Sequence, residues 1–191
     1  MMLPRYLECT ECGEKLYFPT EDRAYYIGNE SYPAAVNDKE LLRMLLDPIW
    51  CWECSKPSWV EVVPLLSQLE KSFALVKAKK EIKFPFDNEF MNQEESISYL
   101  NMYLNWVQKR KSKGKCVLCS NSNYTVLGGT PVKLKHEHCE YGVFKPCYPI
   151  FSSNKRMQTL IYDTEGEEIG KLSLWREELD GWSFLEKEKN V

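Results

Sequence analysis

Hydrophobic side chains recur at intervals of three and four residues in two stretches near the middle of the chain, which is the spacing of one helix face. Within residues 58–82 this pattern comprises Leu66, Leu69, Phe73 and Val76. Ser58 and Glu61 resemble a capping box, but Pro64 would then lie too deep inside the helix. The pattern therefore predicts one helix whose start is either near Ser58 or at Pro64.

The second helical pattern begins at a clear N-terminal signal. Asn92 can cap a helix, and Glu95, three residues later, can complete a capping box. The predicted buried face consists of Ile97, Leu100, Tyr103, Leu104 and Val107. A shorter pattern predicts a third helix between Asp38 and Leu46, because four leucines there share one face.

Short runs of β-branched and aromatic residues predict strands outside these helices. Three strand pairs are expected: 16–18 with 25–27, 124–127 with 132–136, and 159–162 with 168–172. Helices and strands in separate blocks predict an α+β protein.

The most specific chemical signal is a set of four short pairs of metal-type ligands. The pairs are Cys9 and Cys12, Cys51 and Cys54, Cys116 and Cys119, and His136 and Cys139. A two-residue gap lets both side chains of a pair reach one tetrahedral ion, and two such pairs complete a closed zinc shell. The sequence therefore predicts two structural Zn²⁺ ions.

The order of the pairs along the chain assigns the first ion to Cys9, Cys12, Cys51 and Cys54. The second ion has Cys116 and Cys119 and four candidate companions, which are His136, His138, Cys139 and Cys147. Cysteine arithmetic favours Cys139 with Cys147, whereas the repeated two-residue gap favours His136 with Cys139. We expect the second shell to be Cys116, Cys119, His136 and Cys139, with His138 and Cys147 as the alternatives.

Metal binding can supply the folding free energy that a small ribbon lacks. The expected architecture is therefore two small zinc-ribbon β lobes joined by a helical segment. Residues 1–57 are the predicted N-terminal four-cysteine ribbon with its helical insert, and residues 58–114 are the helical linker region. Residues 115–191 are the predicted C-terminal ribbon, with a β-hairpin and an acidic tail.

Charge narrows the classes of function. The chain has 191 residues and a formal net charge of -3, which disfavours a dedicated nucleic-acid binder. The exception is a basic run, Lys109–Lys115, which fits either a solvated helix end or a phosphate contact. The sequence has no nucleophile motif, glycine-rich phosphate loop or paired-carboxylate signature, so we expect a protein that is not an enzyme.

Eight cysteines would also suit a disulfide framework in an exported protein. The sequence shows no pattern typical of an export signal and no apolar run of about 20 residues. We therefore expect a cytoplasmic protein without a membrane segment, whose reduced thiols are available to metal.

The order of motifs resembles a group of poorly characterised bacterial proteins with two zinc ribbons. The motifs that carry the resemblance are Trp50–Cys54, Val60–Val62, Lys109–Lys115, Cys116–Cys119, His136–Cys139 and Tyr162–Gly166. In that group the last ligand pair usually reads His-Pro-Gly-Cys-Gly-Gly, whereas this chain has His-Glu-His-Cys-Glu-Tyr. The resemblance implies a cytoplasmic protein with a protein partner, and in some members an immunity-type inhibitor of a toxin.

The leading functional expectation is a zinc-binding protein-interaction module. Trp175 and Trp182 are the candidate contact residues because acidic side chains surround them, whereas Trp50, Trp52 and Trp106 are expected in the core. The alternative is a nucleic-acid-binding zinc-ribbon regulator that uses the basic run.

Overall fold

The computed structural model describes residues 4–28, 35–128, 131–134, 139, 142–148, 158–177 and 180–186. These residues form a mixed α+β structure, which confirms the predicted class. The helices are α1 (Leu66–Lys77) and α2 (Gln93–Lys109), and a 3-10 turn spans Asp38–Glu40. Neither described helix combines the length and apolar character needed to cross a membrane.

Thirteen strands lie in the described part of the chain. They are β1 (Tyr6–Cys9), β2 (Lys15–Tyr17), β3 (Asp22–Tyr26), β4 (Ala35–Val36), β5 (Leu41–Arg43), β6 (Leu46–Cys51), β7 (Lys56–Glu61), β8 (Tyr124–Val126), β9 (Val132–Lys133), β10 (Val143–Cys147), β11 (Thr159–Tyr162), β12 (Glu168–Arg176) and β13 (Gly181–Glu186).

The chain divides into two compact units, and each is assembled from three separate segments. Unit 1 comprises Met1–Asp22, Leu46–Glu61 and Gly114–Thr159. Unit 2 comprises Arg23–Leu45, Val62–Lys113 and Leu160–Val191. This division differs from the three consecutive segments 1–57, 58–114 and 115–191, because strands that are distant in sequence pair in the same sheets.

Unit 1 contains two antiparallel sheets among its described residues. One has the order β2-β1-β10-β9, and the other has the order β7-β6-β8. Leu7 of β1 and Phe144 of β10 are fully buried and belong to the core of this unit. The other buried members of that core are Cys9, Phe18, Trp50, Trp59, Leu127 and Leu134. All three segments of the unit therefore contribute to one hydrophobic core.

The sheet of unit 2 is strongly curled. Its six strands have the order β4-β13-β12-β11-β3-β5, so β4 and β5 lie at opposite edges. These two strands are nevertheless consecutive in the chain, and only residues 37–40 join them. A link this short can connect opposite edges only if the sheet curves until they approach each other. The buried interior contains Ala24, Tyr26, Val36, Ile161 and Leu172.

Helix α2 begins where the sequence predicts. The Asn92 side chain accepts a hydrogen bond from the Glu95 amide at 2.8 Å, and the Glu95 carboxylate accepts one from the Asn92 amide at 3.0 Å. The buried positions are Ser96, Leu100, Tyr103 and Trp106. The buried face is therefore rotated from the predicted one, because Trp106 packs against Tyr25 with ring centroids 4.3 Å apart.

The structure decides one open alternative and contradicts three helix and strand predictions. Residues 58–61 belong to β7, so α1 follows Pro64 and the capping-box interpretation of Ser58 fails. The predicted helix at 38–46 is a 3-10 turn followed by β5 and the start of β6, because its leucines extend the two sheets. The first two predicted strand pairs, β2 with β3 and β8 with β9, do not form. Instead, β2 pairs with β1 and β3 pairs with β5. Likewise, β8 pairs with β6 and β9 pairs with β10.

The third predicted strand pair is correct. Strands β11 and β12 form an antiparallel hairpin in which Leu160 lies opposite Lys171 and Ile161 lies opposite Gly170. The pattern alone was sufficient here because the two strands are neighbours in sequence and a tight turn joins them.

Candidate metal centres

Four cysteines of unit 1 converge on a common centre, and we call them the four-cysteine cluster. They are Cys51, Cys54, Cys116 and Cys119, and their sulfur atoms all lie within 4.8 Å of one another. The Sγ atoms of Cys51 and Cys119 are 3.6 Å apart, and those of Cys54 and Cys116 are 4.0 Å apart. Four soft thiols gathered in this way can hold one metal ion.

Three further cysteines of the same unit form a second group, the three-cysteine cluster. They are Cys9, Cys12 and Cys139, whose sulfur atoms also lie within 4.8 Å of one another. The Sγ atoms of Cys9 and Cys139 are 3.9 Å apart. The predicted ligand His136 lies outside the described residues, as does its alternative His138. This cluster supplies three ligands of a second candidate site.

The predicted assignment of ligand pairs to ions was wrong. Cys51 and Cys54 meet Cys116 and Cys119, not Cys9 and Cys12, and Cys139 joins Cys9 and Cys12 instead. Strand pairing explains the exchange, because β6 runs beside β8 and β1 runs beside β10. Both clusters lie in unit 1, whereas one metal site was expected in each lobe.

The alternative ligand Cys147 lies apart from both clusters. It sits on β10 directly opposite Tyr6, at the other end of β1 from Cys9. Its Sγ atom is 3.6 Å from a carboxylate oxygen of Glu8 and 3.8 Å from the Lys145 carbonyl oxygen. Of the two cysteines that competed for the second site, Cys139 is therefore the one that joins a cluster.

The three Cys-x-x-Cys turns share one backbone geometry. In each, the residue after the second cysteine has a positive φ angle: Gly13 at 74°, Ser55 at 50° and Ser120 at 56°. Positive φ is uncommon for a serine, so its recurrence at equivalent positions marks a required turn. In each turn the first cysteine also pairs with the residue five positions later, namely Cys9 with Glu14, Cys51 with Lys56 and Cys116 with Asn121. The repeated turn places both sulfurs of each pair on the same side.

Two polar groups form hydrogen bonds with sulfurs of the four-cysteine cluster. The Cys54 amide donates to the Cys51 sulfur at 3.4 Å. Ser58 on β7 is fully buried, and its hydroxyl oxygen accepts a hydrogen bond from the Cys116 thiol at 3.3 Å. When Cys116 loses its proton to a metal, the same hydroxyl can donate to the thiolate and fix its orientation. Sequence reasoning missed this role because Ser58 resembled a helix cap.

Replacing Ser58 by alanine is expected to weaken metal binding at the four-cysteine cluster about tenfold, because a bound thiolate loses its supporting hydroxyl. Competition with a chromophoric chelator measures the affinity. Ser72→Ala is the matched control, since Ser72 is a buried serine of unit 2 that donates to the Phe84 carbonyl. Equal affinity of the Ser58→Ala protein and the wild type would contradict the role of the hydroxyl.

Crowding of the thiols opposes their ionisation. Burial raises the pKa of Cys54, and hydrogen bonding with Cys119 and Cys51 adds to the rise. Desolvation also raises the pKa of Cys139 to about 12, with further contributions from Cys12 and Cys9. At Cys51 burial acts in the same direction, but the Cys54 amide and the neighbouring thiols lower its pKa overall. A bound cation reverses this balance because it favours the thiolate form.

The predicted basic run is partly committed to the fold of unit 2. Arg110 is buried and donates to the backbone carbonyls of Ser112, Lys113 and Thr164. Its guanidinium carbon lies 5.1 Å from the ring centroid of Trp106. Arg110 is therefore a packed structural residue and not a free contact for phosphate.

The segment after Arg110 is also anchored. The amides of Lys111 and Ser112 donate to the two carboxylate oxygens of Glu165, each at 3.0 Å. The bond from the Lys111 amide is the main reason that the pKa of Glu165 lies below its usual value. The basic run is thereby attached to the turn between β11 and β12.

The tryptophans divide between core and surface differently from the prediction. Trp50 and Trp106 are buried as expected, whereas Trp52 is 50% exposed and donates to the Thr125 hydroxyl at 3.1 Å. Trp175 and Trp182 form an edge-to-face pair with ring centroids 5.4 Å apart, and Trp175 remains exposed.

No protein-family model, curated protein or solved structure matches this chain. The activity of the protein is therefore inferred from the geometry of its own residues.

Proposed function

We propose that the chain binds two structural Zn²⁺ ions in unit 1 and acts as a non-enzymatic, cytoplasmic protein-interaction module. The first ion is held by Cys51, Cys54, Cys116 and Cys119. The second is held by Cys9, Cys12 and Cys139, with His136 as the fourth ligand.

The sulfur spacing of the four-cysteine cluster carries the proposal. A tetrahedral ion with Zn–S bonds of about 2.3 Å requires sulfurs about 3.8 Å apart. The Cys51–Cys119 and Cys54–Cys116 separations of 3.6 and 4.0 Å lie on either side of this value. Four thiolates fill every position of such an ion, so no site is left for a reactive water. The ion therefore has a structural role.

The four-cysteine cluster ties residues 46–61 to residues 114–159, and the three-cysteine cluster ties the N-terminal segment to Cys139. The ions therefore join segments that are distant in sequence, and metal binding contributes directly to folding.

Elemental analysis tests the metal content. Untagged protein prepared without added metal is expected to contain about two zinc atoms per chain. Chelator treatment is expected to abolish the cooperative unfolding transition of unit 1, because structural zinc supplies on the order of 10 kcal/mol per site. Well under one zinc atom per chain, together with an unchanged transition in chelator, would refute the proposed metal role.

Exposed apolar side chains support the interaction role. Phe90 is 95% exposed, and Trp52 and Val126 are each about half exposed. Large aromatic side chains of this kind commonly anchor protein interfaces. The net charge of -3 suits a basic partner, such as the toxin that an immunity-type inhibitor would bind.

Recovery of the partner tests this role. The tagged chain is purified from its native host at native expression level, and any bound protein is identified and prepared separately. The purified pair is expected to re-form the complex, and Phe90→Ala is expected to weaken it if this ring is an anchor. Failure of every recovered candidate to bind the purified chain would contradict the module hypothesis.

Nucleic-acid binding through Lys109–Lys115 has less support. Arg110 is buried in this run, and Glu165 holds the backbone of the next two residues.

A further inference from the structure

The four-stranded sheet of unit 1 has one face in the core and the other in solvent. Leu7, Leu16 and Phe144 pack into the core. Because successive side chains of a strand point to opposite faces, the alternate residues point outward. We call this outward surface the outer sheet face, and it includes Tyr6, Glu8, Lys15, Tyr17 and Lys145.

Two tyrosines form one row of the outer sheet face. Tyr6 and Tyr17 lie directly opposite each other on β1 and β2, with ring centroids 5.5 Å apart. Tyr17 is 59% exposed, so its ring is open to solvent on a rigid strand. Aromatic rings presented by a sheet are the surface on which unstacked bases of a single strand pack.

Lysines form the adjacent row. Glu8 on β1 lies between Lys15 on β2 and Lys145 on β10. The Lys15 ammonium is 5.0 Å from the Tyr6 ring centroid and 3.9 Å from the Glu8 carboxylate. Among the described residues of this row, two ammonium groups lie beside one carboxylate, so the row carries a positive surplus although the chain as a whole is negative.

The two rows are one strand repeat apart, about 7 Å. A nucleotide on this face can therefore stack its base on a tyrosine while its phosphate lies near a lysine. We infer that the outer sheet face binds single-stranded nucleic acid, with bases on Tyr6 and Tyr17 and phosphates at Lys15 and Lys145. Duplexes are excluded as ligands of these rings because their bases are already stacked. This surface goes beyond the proposed protein-interaction role.

Fluorescence anisotropy with labelled oligonucleotides tests the inference on the full, zinc-loaded chain. The probes are uridine and thymidine homopolymers of about 12 nucleotides, within the range of known site sizes. Binding at low salt is expected, and the RNA and DNA probes decide which sugar is preferred. Two phosphate contacts predict a slope of about -1.4 for log K against log salt, since each contributes about -0.7 on a single strand.

Substitutions locate the surface. Tyr17→Ala is expected to weaken binding about tenfold, whereas Tyr17→Phe retains the stacking ring and the affinity. Lys145→Ala is expected to reduce the magnitude of the salt slope by about 0.7. Phe90→Ala is the matched aromatic control, and the double variant Lys109→Ala with Lys111→Ala is the control for the basic run. Neither control is expected to change binding.

Zinc content and melting temperature establish that each variant is folded before binding is compared. The inference is overturned if neither probe binds at low salt, or if a duplex binds as tightly as the single strands. It is also overturned if folded Tyr17→Ala protein binds like the wild type, or if the basic-run variant alone loses binding.

Discussion

A variant that carries both Cys51→Ser and Cys119→Ser is expected to retain one of the two proposed zinc ions. The two sulfurs lie 3.6 Å apart in one cluster, so the double substitution damages a single site. A variant that carries Cys12→Ser and Cys119→Ser is expected to lose both ions, because it damages both clusters. Zinc per chain is measured by elemental analysis after dialysis against a chelator of moderate affinity, which removes metal from incomplete shells.

The ligand pairing expected from the sequence predicts a different result for the Cys51–Cys119 variant. If Cys51 shared an ion with Cys9 and Cys12, the Cys51–Cys119 double variant would lose both ions. A Cys12→Ser and Cys51→Ser protein would then retain one ion, whereas the observed clusters predict that it retains none. Cys147→Ser is the control, since its sulfur lies in neither cluster and two ions should remain. One zinc ion in the Cys12–Cys51 variant would refute the pairing.

The sequence located the cysteine pairs but could not show which of them meet. A two-residue gap between cysteines is a local property of the backbone, so each turn can be recognised without knowledge of the fold. Which two turns share an ion depends on strands far apart in sequence, such as β1 beside β10. The shared turn was also hidden from the sequence, because Gly13 marks a positive φ angle after Cys12 but the serines at 55 and 120, which adopt the same conformation, do not.

The same contrast between local and long-range determinants explains which predictions of secondary structure were correct. The start of α2 was predictable because Asn92 and Glu95 form a capping box within four residues. The leucines between 38 and 46 also have helical spacing, but β5 pairs with β3, and Leu42 lies fully buried opposite Tyr25. Tertiary pairing there overrides the local pattern, as it often does for short apolar runs.

Removing the buried guanidinium of Arg110 in unit 2 is the second change with a large expected effect, here on the free energy of unfolding. Arg110→Ala is expected to destabilise the protein by on the order of 3 kcal/mol. The substitution leaves the carbonyls of Ser112, Lys113 and Thr164 without their charged donor and removes the cation from the Trp106 ring. Urea unfolding of zinc-saturated protein, followed by tryptophan fluorescence, measures the change in the free energy of unfolding.

Alanine substitutions of the neighbouring lysines distinguish the loss of packing at Arg110 from the loss of a positive charge. Lys109 and Lys111 are exposed, so alanine at either position should change the free energy of unfolding by no more than about 0.5 kcal/mol. Arg110→Lys keeps the charge but cannot reach three carbonyls with one planar fork, and an intermediate loss is expected. Equal small effects at positions 109, 110 and 111 would mean that the run is a solvated basic patch. That result would restore phosphate binding as its role, whereas a large effect confined to Arg110 assigns this residue to the fold.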